Sequence, residues 1–101
     1  MINLLHARLK KFIHERLEYN GTVPVWVPKG YVWARLRSRP QHIKLQAGIE
    51  QQHVTHLLQF RAGPNVKPGD RFTIGNMGYE LHLIHDLDGR GRWLECFCEA
   101  S

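Results

Sequence analysis

Three clusters of turn-forming residues cut the second half of the chain, from His53 to Cys98, into four short apolar segments, and segments that short fold as an antiparallel β-meander. The clusters are Gly63-Pro64 with Lys67-Pro68-Gly69-Asp70, then Asn76-Met77-Gly78, then Asp86-Leu87-Asp88-Gly89. Proline presets φ, glycine reaches positive φ, and Asn or Asp bonds its own backbone, so each cluster can reverse the chain. Between them the apolar residues alternate. Val54, Leu58 and Phe60 share a face with His56, while Thr55, Leu57, Gln59 and Arg61 take the other. Phe72 and Ile74 follow, then Tyr79, Leu81 and Leu83 on one face, then Leu94, Cys96 and Cys98 with Trp93 and Phe97 behind them. Apolar groups on both faces of this last strand predict a central position.

The first half carries the same period less evenly. From Tyr31 to Arg37, Val32, Ala34 and Leu36 alternate with Tyr31, Trp33, Arg35 and Arg37, which gives one core face and one basic, aromatic face. Leu9, Ile13 and Leu17 fit a helix, but Leu9, Lys11, Ile13, Glu15 and Leu17 equally fall on one side of a strand. Asn20-Gly21 arbitrates, because that pair is a type I′ hairpin signal and Val23, Val25 and Val27 alternate beyond it. A first hairpin is predicted, with residues 1–8 as a loose or helical lead-in. Pro24 and Pro28 cannot donate to a ladder, so the returning strand belongs at an edge. Residues 39–52 form a polar spacer. Within it Gln41 to Gly48 is either a short helix opened by Pro40 or a mobile loop.

Composition excludes several classes. A chain of 101 residues fits one domain, 1–101, and buries roughly 60 to 70% of its unfolded surface. No run approaches the ~20 apolar residues of a membrane helix, so no membrane partner is expected. The start, with His6, Arg8, Lys10 and Lys11, is unlike a secretory signal and implies synthesis in a reducing cytoplasm. Cys96 and Cys98 are the only cysteines; on a strand they share a face and read as core residues rather than half a metal site. The pairs His53/His56 and His82/His85 have a metal-like spacing, but three residues apart on a regular strand puts the two rings on opposite faces. There is no phosphate loop before a helix, and the two serines, Ser38 and Ser101, stand in no nucleophile context. Neither catalysis nor a cofactor is expected.

Charge is distributed unevenly. Of the formal net +5, residues 1–44 hold nine Lys or Arg against two Glu, and the rest holds five against seven Asp or Glu. Such a dipolar chain could meet DNA with one face, meet a basic neighbour with the other, or stack copies head to tail. A merely solvated basic face is the competing explanation.

The order of these elements resembles the phage head-tail joining proteins, the head-closure or stopper family of tailed phages and prophages. The resemblance is carried by the Leu9 to Leu17 strand, the Asn20-Gly21 turn followed by Trp26, Val32-Trp33-Ala34-Arg35-Leu36, and a spacer ending near Ala47. It continues through His53-Val54-Thr55-His56, the Leu58 to Arg61 strand, Val66-Lys67-Pro68-Gly69-Asp70-Arg71, Gly78-Tyr79-Glu80-Leu81, the Asp86 to Gly91 hairpin and Trp93-Leu94-Glu95-Cys96. It implies a mainly β fold, a small antiparallel β-barrel of six to seven strands with one short helix. It also implies a hexameric or dodecameric ring at the virion neck, between portal or adaptor protein and tail or tail-terminator protein, closing the channel over packaged double-stranded DNA. The Leu4-Leu5 lead-in and the stretch around His53 do not identify a channel loop.

Arg35, Arg37 and Arg39, with Lys44 beyond, form a basic stripe facing DNA or an acidic neighbour, and Tyr31 and Trp33 are the interface candidates. The same aromatics between arginines could instead be a stacking platform for single-stranded nucleic acid on an OB-like barrel.

Overall fold

A computed structural model describes residues 8–39 and 54–101. The predicted lead-in and spacer, including the Gln41 to Gly48 helix candidate, fall almost wholly outside them, and among the described residues there is no helix. Six strands follow one another: β1 (Lys10–Asn20), β2 (Val23–Ser38), β3 (His56–Arg61), β4 (Arg71–Ile74), β5 (Met77–Asp86) and β6 (Trp93–Ala100). Every pairing is antiparallel, and the ring-like sheet closes on itself in the order β1-β2-β3-β6-β5-β4. The predicted central placement of β6, between β3 and β5, holds.

Alternation fills the interior. Phe12, Val32, Ala34, Leu58, Phe60, Phe72, Tyr79, Leu81, Cys96 and Cys98 make one buried cluster with Val66. Phe60 and Phe72 meet edge to face with ring centroids 5.7 Å apart, and burying each such ring contributes about 2 to 3 kcal/mol. On β1 the expected apolar side is the outer one. Ile13 and Leu17 are exposed, whereas Phe12 and His14, of opposite parity, point inward and are buried.

Two bulges reset the alternation. The β1–β2 register passes from His14 opposite Gly30 to Glu15 opposite Pro28, leaving Lys29 as the extra residue; Gly30, at φ 134°, takes a backbone setting that L side chains rarely adopt. The two segments read separately at Val23–Val27 and Tyr31–Arg37 are thus one long strand. On β5 the register shifts between Leu81 and Leu83, with His82 as the extra residue. Consequently Ile84, not Leu83, packs on the main core, and Leu83 turns outward to join Val54, Leu57 and Phe97 in a second small cluster. That cluster also corrects the placement of Val54, which packs with Leu57 rather than with Leu58.

The hairpin turns are offset from their sequence signals. Asn20 pairs with Val23 and Ile74 with Met77, so the two-residue loops are Gly21-Thr22 and Gly75-Asn76. Gly21 and Gly75 lie at φ 66° and 57° and no described non-glycine residue has positive φ. This is the type II′ pattern, glycine first, rather than type I′. The third hairpin is held by Asp86, whose carboxylate accepts from the backbone N–H of Gly89 (3.1 Å) and Gly91 (2.8 Å).

Closure depends on a short seam. Eleven residue pairs join β1 to β2, but three join β1 to β4: Ile13 with Thr73, His14 with Phe72 and Glu15 with Arg71. Beyond Glu15 the only strand paired with β1 is β2, and β2 gains β3 only from Ala34 onward. The β1–β2 hairpin therefore leaves the closed sheet as a two-stranded arm, and the edge position expected from Pro24 and Pro28 is found there.

Candidate partner-facing surface

Side chains on the outer face of β2 and β1 form a continuous strip. Tyr31, Trp33, Arg35 and Arg37 alternate along β2, and across the ladder Ile13 faces Tyr31 while Lys11 faces Trp33. Tyr31 and Trp33 are 62% and 58% exposed, unusual for rings of that size. The ammonium of Lys11 stands 4.1 Å from the Tyr31 ring centroid, a cation–π contact. Leu17 and Tyr19 extend the exposed apolar strip along the arm. Arg35 and Arg37 are partly exposed and form no ion pair among the described residues. The structure thus brings four of the six predicted residues together. Arg39 is separate: its backbone N–H donates to Thr55 O (3.0 Å) and its guanidinium to Val54 O (3.4 Å), tying the end of β2 to the approach to β3. Lys44 lies outside the described residues.

The opposite wall is acidic. In the closed order, β6 and β5 lie across the barrel from β1 and β2, and their outer face carries Glu80, Glu95 and Glu99. The bulge at His82 places both His82 and His85 on this face, where a regular strand would have separated them. They do not converge: His82 Nε2 is 2.9 Å from Glu99 and His85 Nδ1 is 3.8 Å from Glu95. Gln59 donates to Glu95 at 2.7 Å. No group of three or more His, Cys, Asp or Glu able to hold a metal ion occurs among the described residues. Cys96 and Cys98 are buried free thiols. Burial, with the nearby Cys98 and Glu95 adding to it, raises the Cys96 thiol far above its ordinary range; burial pushes Cys98 up to about 12.

Sequence reasoning missed the polar staple across the seam. Asp70, 2% exposed, accepts from Nε of Arg16 on Oδ1 and, on Oδ2, from Nη2 of Arg16 and the Lys67 N–H, all at 3.0 Å. His14 Nε2 lies 2.7 Å from the same Oδ2. Burial alone would raise the Asp70 pKa, but the bonds from Arg16, His14 and Lys67, with the charge of Arg16, outweigh it and hold the carboxyl below its ordinary value. Outside the barrel, Arg71 bonds Glu15 at 2.8 Å and lies 4.1 Å over the Trp26 ring. The sole sequence hint was Asp70 in a Pro-Gly-Asp turn, and nothing there pointed to His14 or Arg16. A cleft of about 250 Å³ between Tyr31 and Asn65 reaches His14, Arg16 and Lys29. Its cations are already matched, Arg16 by Asp70 and Lys29 by Glu18 at 2.6 Å.

Residues 7–101 match the family model of the phage head completion protein. The chain belongs to that family. This phage head completion family is one of structural virion proteins, in accord with the head-tail joining resemblance, and is not a family of enzymes. The fold is also that of a chain in a solved structure described as the virion of a native gene transfer agent particle. The two share 21% identity with a TM-score of 0.68, over 93% of this chain and 96% of the other. No curated protein matches the sequence.

Proposed function

We propose that this protein is a subunit of a ring in the virion neck, between the portal or adaptor and the tail, and that it helps to close the DNA channel after packaging. The match to the head completion family over nearly the whole chain carries this reading, and the likeness in fold to a virion chain agrees with it. The physics of the role is modest. A channel holding packaged DNA needs a stiff body, and a small closed sheet with a continuous aromatic core supplies it. It needs exposed surfaces for partners, and the strip from Lys11 to Arg37 and the projecting arm offer exposed apolar and basic groups.

Imaging particles assembled with and without the chain tests the proposal. The expected result is density for the subunit in the neck and, in its absence, filled heads that lose DNA and fail to join tails. Intact, DNA-retaining, tailed particles made without it would overturn the reading. A salt-dependent shift of single-stranded oligonucleotide by the purified protein, with particle assembly unaffected by its loss, would favour the nucleic-acid platform instead.

A further inference from the structure

We propose that the β1–β2 arm inserts into an apolar cleft on a different protein of the neck, and that carboxylates beside that cleft meet Lys11, Arg35 and Arg37. The proposal rests on the neck-ring reading and gives the surface through which the subunit docks on a neighbour of another kind.

The arm is apolar on both faces. Ladder partners share a face, so Leu17 and Tyr19 stand with Trp26 and Pro24 on the outer side, while Val23 and Val25 stand with Asn20 and Glu18 on the reverse. Leu17, Tyr19, Val23 and Val25 are all exposed. A sheet that rests on a single surface turns a polar face to water. A two-stranded ribbon with apolar side chains front and back is instead covered by a cleft that closes on both sides. The lining of that cleft is uncharged, because from Leu17 to Pro28 the sole charged residue is Glu18, which Lys29 neutralises at 2.6 Å.

Farther along the same outer face the character changes. Lys11, Arg35 and Arg37 have no carboxylate partner among the described residues, so charge matching asks for Asp or Glu opposite them. A second copy does not supply these. Among the described residues Glu15, Glu18 and Asp70 are held by Arg71, Lys29 and Arg16, and Glu95 and Glu99 by His85 and His82. Asp86 and Asp88 bond within their own hairpin, and Glu80 is the ladder neighbour of Arg71. Duplex DNA fits no better, since its phosphates would match the cations but leave the apolar arm in water. A partner protein meets both demands, and Tyr31 and Trp33, lying between the arm and the arginines, are the residue types that anchor such interfaces.

Substitutions on each face of the arm test the insertion. Leu17→Ser with Tyr19→Ser, Val23→Ser with Val25→Ser, and Arg35→Glu with Arg37→Glu should each lower incorporation into particles at least tenfold, with urea midpoints showing that each variant is folded. A photo-crosslinking amino acid in place of Tyr19, or of Val25, should capture one and the same virion protein, different from this chain. Carbodiimide treatment of wild-type particles should join Lys11 to an Asp or Glu of that protein. Should a serine variant unfold, these crosslinks decide the matter. If either face of the arm tolerates its substitutions, or only one of the two positions captures the partner, insertion is overturned. Capture of a second copy at both positions overturns the choice of partner. If the Arg35/Arg37 variant assembles normally but its particles leak DNA, the cations face DNA and the proposal is likewise overturned. Failure to find the wild-type chain in the neck at all would instead overturn the underlying functional reading.

Discussion

Nε2 of His14 lies 2.7 Å from Oδ2 of Asp70, although 56 residues separate them in the chain. The contact joins β1 to the loop entering β4, beside the shortest ladder of the closed sheet. Arg16 and the Lys67 N–H complete the coordination of the carboxylate, so removing it strands a buried imidazole and leaves the part-buried guanidinium only its bond to Asn65 O. Asp70→Ala should cost about 3 to 5 kcal/mol, read as a lower urea midpoint. A loss within experimental error of zero would show that the seam does not depend on this staple.

The same carboxylate makes stability depend on acid. Its folded pKa is held below the ordinary 3.8, so its contribution is fully present above that value. As pH falls through the ordinary value and on through the folded one, the unfolded chain binds the proton first and the contribution is lost. The stability gap between the wild type and Asp70→Asn should therefore be wide at neutral pH and narrow below about pH 4. A gap that is constant from neutral pH into that acid range would exclude the linkage.

Thiol chemistry offers an independent check of the core. Cys96 and Cys98 are both fully buried, with Cys98 pushed up to about 12, so neither is a thiolate at pH 8. An aromatic disulfide reagent at that pH should titrate no fast thiol in the native protein and two after unfolding in guanidinium. A rapid native reaction would place at least one of them at the surface.

Gly75 opens the β4–β5 turn at φ 57°, with nothing within 4 Å of where a Cβ would stand. Replacing it by alanine therefore creates no clash and tests the backbone alone. Gly75→Ala should cost about 1 to 2 kcal/mol, visible as a melting temperature several degrees lower. Unchanged melting would mean that the turn relaxes to another type.

The β-character was legible because alternation and turn chemistry are local. Val32, Ala34 and Leu36 faced inward as their period required, and Tyr31, Trp33, Arg35 and Arg37 faced out. What escaped was whatever depends on distant chain. The bulge at His82 leaves no compositional trace, yet it exchanges Leu83 and Ile84 between the two faces of the sheet. On β1 the repeat of Leu9, Ile13 and Leu17 looked like a core stripe, but the interior took Phe12, which packs with Val32, Phe72 and Tyr79 from other strands. The outer strip was half visible, its β2 members standing in one run. Lys11 and Ile13 join it only through strand pairing.

The seam between β1 and β4 also sets the order in which the fold can form. Its partners, such as Ile13 and Thr73, lie 60 residues apart in the chain, so closing them loses more chain entropy than forming any of the hairpins. The hairpins can pair early and the seam only afterwards. Contacts made after the rate-limiting barrier govern how fast a protein opens rather than how fast it forms. Asp70 thus acts as a latch: weakening it should steepen the escape from the native state while leaving refolding nearly untouched, a division that the two limbs of a denaturant chevron would display.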